Sequence, residues 1–138
     1  MISKDFILAG KAIFTIDNGK GTYYTYKVTH KEATGQYNES WFVSLLTGPD
    51  NTSSYTYLGM LNPFDGTVSL TRKSKFNDSV LPVRVIRWAF NIVWSSKELP
   101  SGYNIRHEGR CGRCGRVLTV PESIDTGIGP ECAKLMSA

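Results

Sequence analysis

Residues 6–30, FILAGKAIFTIDNGKGTYYTYKVTH, predict the first two strands of an antiparallel sheet. Aromatic and β-branched residues fill 6–17 and 21–30, which is the composition typical of strands. Asn18-Gly19 lies between the two runs, and this dipeptide is a strong short-range signal for a hairpin turn. The fold is therefore expected to begin with a β-hairpin.

Three further strands are predicted after this hairpin, at residues 40–47, 54–61 and 66–71. The connections at 48–51 and 62–66 are rich in Gly, Pro, Asn and Asp, which favour turns. Five short strands with brief connections predict an antiparallel β-meander or a small barrel.

One amphipathic helix is predicted after the strands. Asp78 or Ser79 could cap its start, and Pro82 is tolerated in a first helical turn. Apolar residues then recur at helical spacing, at Val83, Ile86, Phe90, Val93 and Trp94. Strands followed by a helix place the chain in the α+β class.

The three cysteines of the chain predict a metal site together with one histidine. They follow the spacing His107-x3-Cys111-x2-Cys114-x17-Cys132. Zn²⁺ prefers four nitrogen or sulfur ligands in a tetrahedron, and a filled set of four is typical of a structural ion. We therefore expect one structural Zn²⁺ per chain, held by these four residues.

Alternatives to this site are a catalytic zinc ion or no metal. A catalytic ion needs an open coordination position, which four protein ligands do not leave. The fourth ligand is the least determined of the set: His107 is the best candidate, His30 lies far off in sequence, and Glu108 or Glu131 would supply a hard oxygen instead.

The order of local patterns in the last third predicts a treble-clef-like zinc module. Residues 103–107 and 117–120 have the composition of strands, and 111–115 has that of a tight Cys-x2-Cys turn. Pro130 is suited to the first turn of a helix that would carry Cys132. We expect a β-meander and helix domain over residues 1–98 and a zinc-binding module over 99–138.

The same segment resembles a known family. Cys-Gly-Arg-Cys-Gly-Arg-x-Leu-Thr (111–119), Ser-Ile (123–124) and Gly-Ile-Gly-Pro-x-Cys-Ala (127–133) are similar to a short zinc domain catalogued as a domain of unknown function. That family is frequent in phage-encoded proteins and is also appended to helicase-like proteins. Residues 46–51 and 55–59 are similar to the front half of small phage proteins of this type. The resemblance implies a small phage protein in host cytoplasm, and it brings no catalytic residue.

Positive charge is concentrated in one part of the chain. Residues 72–116 contain ten basic and three acidic residues, although the net charge of the whole chain is only +4. A basic surface favours an anionic partner such as nucleic acid. The alternative is solvated charge that offsets the thiolates. The residues expected to contact nucleic acid are Arg72, Lys73, Lys75, Arg84, Arg87, Arg106, Arg110, Arg113 and Arg116.

Tyrosines recur on single faces of two predicted strands. Tyr24 and Tyr26 share one face, as do Tyr55 and Tyr57. Aromatic side chains on an open sheet face beside positive charge can stack the bases of single strands. Cross-strand aromatic pairs inside a core are the commoner arrangement.

No pattern in the chain predicts an enzyme. Asp125-Thr126-Gly127 matches the aspartic-protease triplet, but it is expected in a loop between metal ligands, and His30 has no obvious catalytic partner. No apolar run approaches the length of a membrane span, so no membrane partner is expected. Three cysteines with metal spacing favour a reducing compartment, so a cytoplasmic location is expected.

The expected function is that of a non-enzymatic phage accessory protein that binds nucleic acid through its basic second half. The alternative is a protein-interaction module that inhibits or redirects a host factor, such as a counter-defence inhibitor. Zinc modules are also scaffolds for protein contacts, so the sequence leaves both open.

Overall fold

The computed structural model describes residues 2–50, 53–118 and 121–137 of the chain. These ranges contain four helices and six strands, and the α+β class is confirmed. The elements in chain order are α1 (Lys4–Ile7), β1 (Lys11–Asp17), β2 (Tyr23–Lys31), β3 (Ser40–Leu46), β4 (Tyr55–Leu61), β5 (Val68–Ser69), α2 (Leu81–Trp94), β6 (Asn104–His107), α3 (Pro121–Thr126) and α4 (Pro130–Ser137).

The strands form one antiparallel sheet in the order β5-β4-β3-β2-β1-β6, curled into a half-barrel. β1 to β5 follow one another as the predicted meander, although β5 is only two residues long. β6 pairs with the free edge of β1, where His107 lies opposite Phe14. The sheet therefore includes a strand from the segment that the sequence assigned to the metal module.

The β1–β2 hairpin forms at the predicted turn. The side-chain oxygen of Asn18 accepts hydrogen bonds from the backbone N–H groups of Lys20 (2.8 Å) and Thr22 (3.1 Å). Gly19 has a φ of +72°, a conformation that costs a glycine little. The turn sets the register of the hairpin, with Asp17 opposite Tyr23.

The inner face of the sheet, which we define as the face toward α2, holds the core. The rings of Phe14 and Phe90 have centroids 5.9 Å apart, and the Tyr26 hydroxyl donates to the carbonyl oxygen of Pro82 at 2.7 Å. Phe14, Tyr26 and Phe90 are at most 1% exposed. Burial raises the pKa of Tyr26 far above its ordinary value, so its hydroxyl stays a neutral donor. These contacts hold α2 against the sheet.

The outer face is the opposite side of the same strands. Because side chains alternate along a strand, the neighbours of buried residues point to this face. Lys27 lies opposite Ile13 on one side and Ser44 on the other, and Ser44 lies opposite Tyr57. All four residues are half-buried rather than buried.

The prediction of a single strand over 6–17 is wrong at its beginning. Residues Lys4–Ile7 form the short helix α1, in which Ser3 Oγ accepts from the Phe6 N–H at 3.2 Å. Gly10, with a φ of +124°, turns the chain from α1 into β1. The short apolar run was compatible with either element, and the tertiary contacts of Phe6 favour the helix.

Phe6 joins the beginning of the chain to its last third. A Cβ atom on Gly112 would lie 2.7 Å from the Phe6 ring, and one on Gly127 would lie 2.5 Å from it. The Lys11 N–H also donates to the Gly112 carbonyl oxygen at 2.6 Å. These contacts and β6 cross the predicted boundary between residues 98 and 99. The division into separate domains at residues 1–98 and 99–138 stays a prediction.

The predicted cap of α2 is wrong, although the helix itself is confirmed. Val80 occupies the cap position, where no side chain bonds to the first turn. The Asp78 carboxylate accepts from the Arg87 guanidinium at 2.6 Å, and the Ser79 hydroxyl donates to the Asn77 side chain at 2.6 Å. Both predicted caps are therefore engaged elsewhere. Pro82 lies in the first turn, as expected.

Candidate metal centre and basic sheet face

The three cysteines come together at one point. Cys111 and Cys114 lie in a tight turn that follows β6, and Cys132 lies in the first turn of α4. Their sulfur atoms are all within 4.8 Å of one another, and none forms a disulfide. Cys111 and Cys132 are buried, whereas Cys114 is exposed. Three thiols at this separation could hold one metal ion.

Backbone hydrogen bonds shape the turn that carries the first two thiols. The Gly115 N–H donates to the Cys111 carbonyl oxygen at 2.9 Å, and the Cys111 N–H donates to the Arg116 carbonyl oxygen at 2.8 Å. Gly115 has a φ of +83°, which disfavours other residues. An antiparallel bridge between Arg110 and Val117 closes the turn. The predicted Cys-x2-Cys turn is thus present.

The sequence around the third thiol predicts only part of its local structure. α4 begins at Pro130, as expected, and places Cys132 near the helix start, where the dipole favours a thiolate. The expected loop around Asp125-Thr126-Gly127 is wrong, because Pro121–Thr126 form α3. The predicted strand 117–120 extends to residues 119 and 120, which lie outside the described residues.

The pKa values of Cys111 and Cys132 are shifted in opposite directions. Burial opposes ionisation of Cys111, but hydrogen bonds from the backbone N–H groups of Gly129, Cys114 and Arg113 lower its pKa to about 7. Burial raises the pKa of Cys132, against the lowering effect of the Arg113 guanidinium, which lies 3.7 Å from the sulfur. The turn therefore favours a thiolate at Cys111, the form that binds metals.

The structure does not bring His107 into the thiol group. Its Nδ1 accepts from the Gly109 N–H at 2.9 Å, so its Nε2 carries the proton and donates to the Ile124 carbonyl oxygen. Its ring also packs 5.7 Å from that of Phe6, centroid to centroid. Within residues 2–50, 53–118 and 121–137, no His, Asp or Glu joins the three sulfurs. That His107 is the fourth ligand stays a prediction. To bind the metal, its ring would have to leave these partners.

The other candidates for the fourth position lie apart from the thiols. His30 stacks on Trp41 with centroids 4.6 Å apart and lies 3.2 Å from Glu39. Glu108 lines a groove on the outer face with Arg106, and Glu131 is exposed on α4. The donor chemistry of the group is therefore that of three sulfurs, which suits a soft or borderline metal ion.

The nine basic residues predicted to contact nucleic acid do not all lie together. Arg84 lines a cavity beside α2 with Trp88 and Tyr103. Arg87 is engaged by Asp78 and by the Val68 carbonyl oxygen at 3.0 Å. Both belong to the side of the sheet that α2 covers, so they are separated from the residues described next.

Four of the nine residues line grooves on the outer face. Arg72 and Lys73 border a groove of about 430 Å³ with Phe42, Tyr57 and Met60. Arg106 borders a second groove and forms an ion pair with Asp17 at 3.2 Å. Arg110 borders a third groove, and its guanidinium donates to the Gly115 carbonyl oxygen at 3.2 Å.

The remaining three predicted residues lie nearby without lining these grooves. Lys75 is exposed and its N–H reaches the Tyr57 carbonyl oxygen at 3.4 Å. Arg113 contacts Cys132, and Arg116 is exposed at the end of the cysteine turn. Arg113 therefore favours the charged form of Cys132, and the alternative interpretation stays a prediction.

Sequence reasoning missed two lysines of the first half. Lys11 and Lys27 line the same groove as Arg110, although they lie outside the basic segment 72–116. The register of β1 and β2 was the missing information: Lys11 lies opposite Thr29, and Lys27 lies opposite Ile13, all on the outer face. Alternation of Lys11 with buried Ala12 and of Lys27 with buried Val28 was the available signal.

The two tyrosine pairs lie on different faces. Tyr26 is buried in the core and Tyr24 is half-buried on the same inner face, so the stacking hypothesis is wrong for Tyr26. Tyr55 and Tyr57 are half-buried on the outer face, where the Lys27 ammonium lies 5.4 Å from the Tyr55 ring centroid.

Six basic side chains and one carboxylate line the three outer-face grooves. The basic ones are Lys11, Lys27, Arg72, Lys73, Arg106 and Arg110, and the carboxylate is Glu108. Strand pairing thus collects on one face charges that are far apart in sequence. We call the six basic side chains the outer-face basic cluster.

Among the helices of the described residues, none is both long enough and apolar enough to cross a bilayer.

Comparison with known proteins adds one partial match. Residues 105–137 match a family described as a family of unknown function, DUF6011. These residues include all three cysteines and His107, so the match covers the candidate metal centre and leaves β1 to β5 outside it. No curated protein and no solved structure matches the chain.

Proposed function

We propose that the protein is a non-enzymatic, zinc-containing accessory protein that binds nucleic acid through the outer face of its sheet. The observation that carries the proposal is the outer-face basic cluster, which draws on β1, β2, the segment after β5, β6 and the cysteine turn. A phosphate backbone is attracted by such a surface regardless of base sequence. The resemblance to phage proteins supports a phage origin and action in host cytoplasm.

Charge balance on this face supports an anionic partner. Within the described residues, Arg106 is the one member of the cluster that forms an ion pair with a carboxylate, that of Asp17. The Arg106 side chain of this pair is 64% exposed, so solvent screens the attraction and the guanidinium is held weakly. None of the other five forms an ion pair with a carboxylate within the described residues; the Arg110 guanidinium donates to the Gly115 carbonyl oxygen, and the Lys27 ammonium lies over the Tyr55 ring.

Zinc is the metal that the thiol group fits best. Three thiolates select soft or borderline ions, and Zn²⁺ is bound in structural sites by sulfur with nitrogen as the common fourth donor. We propose one structural Zn²⁺, held by Cys111, Cys114 and Cys132, with His107 completing the shell once it releases Ile124. The ion would supply a rigid attachment for the turn, with no chemical step of its own.

The metal centre supports the basic face through the cysteine turn. Arg110 directly precedes Cys111, and the Gly112 carbonyl oxygen accepts from the Lys11 N–H at 2.6 Å. A fixed turn therefore holds Arg110 beside Lys11 and Lys27. Metal binding and phosphate contact are expected to depend on each other for this reason.

The direct test is a titration of a fluorescently labelled oligonucleotide with purified protein at low ionic strength. We expect binding that weakens steeply as salt is added, because counterions compete for the phosphates. A Lys11→Gln/Lys27→Gln/Arg110→Gln variant should bind about tenfold more weakly, or weaker still. The reason is that each lost phosphate contact removes about 1 kcal/mol or less of binding free energy. The control is Arg84→Gln/Lys97→Gln, which removes two charges on and after α2 and should bind normally. Equal losses in both variants would argue against the outer face.

The metal proposal has its own test. Elemental analysis should find about one zinc ion per chain, as expected for one four-ligand site. Cys114→Ser should lower the zinc content, since one sulfur is lost, whereas Ser123→Ala in α3 should keep it. Full zinc content in Cys114→Ser would contradict the assignment.

A second candidate function is a protein-interaction module, and one observation favours it. Four large apolar side chains of the metal module are exposed, at Val117 (62%), Ile124 (47%), Leu135 (62%) and Met136 (40%). Exposed apolar groups in one small region favour a protein contact. Pull-down from host lysate with and without nuclease separates the two functions, because a protein partner bound to these groups survives digestion.

A further inference from the structure

The outer face is divided into an aromatic half and a cationic half. Two adjacent rows of paired residues cross the sheet: one runs Tyr57, Ser44, Lys27, Ile13, and the other runs Met60, Phe42, Thr29, Lys11. The β3–β4 ends of the rows carry rings and a thioether, and the β1–β2 ends carry two ammonium groups. Three strand spacings separate the ends, which is about 14 Å.

The aromatic half forms an open corner between two rings. Phe42 and Tyr57 have centroids 6.0 Å apart and ring planes at 65°, so one ring meets the other nearly edge-on. The hydroxyls of Tyr57 and Thr71 share a hydrogen bond of 3.1 Å, and the contact with Phe42 holds the tyrosine ring as well. Both rings and Met60 line the groove of about 430 Å³. A planar group could lie in this groove with one face on a ring.

Positive charge borders the aromatic corner on both sides. Arg72 and Lys73 line the same groove as the rings. On the other side, Lys27 lies opposite Ser44 and is two strands along the same row from Tyr57. A ligand that places a flat apolar group in the corner therefore meets cations at either end.

From this arrangement we infer that the outer face binds single-stranded nucleic acid, with one base stacked in the Phe42–Tyr57 corner and its flanking phosphates on Arg72, Lys73 and Lys27. The inference rests on the proposed function and adds the form of the nucleic acid and the position of a base. Rings on a sheet together with a cationic path are the features with which single-strand binders hold bases without reading sequence.

A duplex cannot make the same contacts with this surface. Its bases are paired and stacked on each other, so their flat faces cannot reach rings that are half-buried in a sheet. It would contact the cationic half through phosphates alone. Single strands are therefore expected to bind more tightly than duplexes of the same length.

The experiment compares single-stranded and duplex DNA of about 12 nucleotides, within the length bound by small single-strand modules. Fluorescence anisotropy of the labelled strand, at one low salt concentration, gives both dissociation constants. We expect the single strand to bind about tenfold more tightly than the duplex, the size typical of stacking one base. The probes are an oligo-dT strand and a mixed-sequence duplex, with the unpaired mixed strand as a second single strand.

Three variants locate the stacked base. Tyr57→Leu removes the ring but keeps an apolar side chain, and Phe42→Leu does the same on β3; each should weaken single-strand binding about tenfold and leave duplex binding unchanged. Tyr57→Phe keeps the ring and loses only the hydroxyl bond to Thr71, so it should bind as the natural protein does. Thermal melting of each variant checks folding. If one of the two leucine variants fails to fold, the other still tests the stacked base.

The outcomes separate the two proposals. Equal affinity for single strand and duplex, or single-strand binding that is unchanged in both leucine variants, overturns the stacked base and leaves nucleic-acid binding in place. Binding of neither form at low ionic strength overturns the proposed function, and the stacked base with it.

Discussion

The inner face of the sheet carries Phe14, Tyr26 and Val28, all fully buried, whereas the outer face of the same two strands carries Ile13, Lys27 and Thr29, all half-buried. The inner side chains hold α2 and account for most of the apolar core. The outer side chains contribute little burial and carry cations. The comparison teaches that the packed core and the surface cations lie on opposite sides of one sheet, so that stability and the proposed binding can be changed separately.

The largest effect is expected from removing the metal. Structural zinc sites contribute on the order of 10 kcal/mol to the folding of small modules, and the buried apolar side chains of this module are few. Chelation should therefore abolish hydrogen-exchange protection of the amides at 109–118 and 123–133. The strands β2 to β4 should stay protected, since the inner-face core holds them.

Adding zinc back is the control for this experiment, and it should restore protection of both segments. Metal-free protein with unchanged protection at 109–118 would show that the thiols are not a structural site.

A pair of substitutions on β1 separates the two faces. Phe14→Ala should lower the free energy of unfolding by about 3–5 kcal/mol, because it leaves a cavity between the sheet and Phe90. Ile13→Ala, one residue earlier on the outer face, should cost about 1 kcal/mol, because only part of its side chain leaves water. Urea denaturation of the two variants measures both values. Similar losses would mean that the outer face is also packed.

The smallest effect concerns single charges. Lys27→Gln should reduce the slope of log affinity against log salt by about 1, because one phosphate contact is lost. Lys97→Gln, beyond the end of α2, should leave the slope unchanged. The melting temperatures of both variants should stay close to that of the natural protein, since Lys97 is exposed and Lys27 is only half-buried, with one ring contact.

Much of the fold was predictable because its patterns are local. The hairpin at Asn18-Gly19, the strands β3 and β4 and the helix α2 each have a periodicity or turn signal within a short window. The helix α1 was missed, because the position of Phe6 is decided by Gly112 and Gly127, more than a hundred residues away. Packing against distant glycines leaves no local signal.

The candidate site was predictable in its sulfur ligands and less so in its surface. Cysteine spacing alone identified the three thiols that the structure brings together. The basic surface depends on strand register, which decides that Lys11 and Lys27 join Arg110 and that Arg84 and Arg87 do not. Net charge along the chain contains no information about which face a side chain occupies.

The most direct test of the account is lysine acetylation footprinting, read by mass spectrometry, with and without saturating single-stranded oligonucleotide. The account predicts that the oligonucleotide protects Lys11, Lys27 and Lys73 on the outer face and leaves Lys97, which is exposed just after α2, as reactive as before. Protection of Lys97 with continued reactivity of Lys27 would contradict it, because the nucleic acid would then lie on the side that α2 covers.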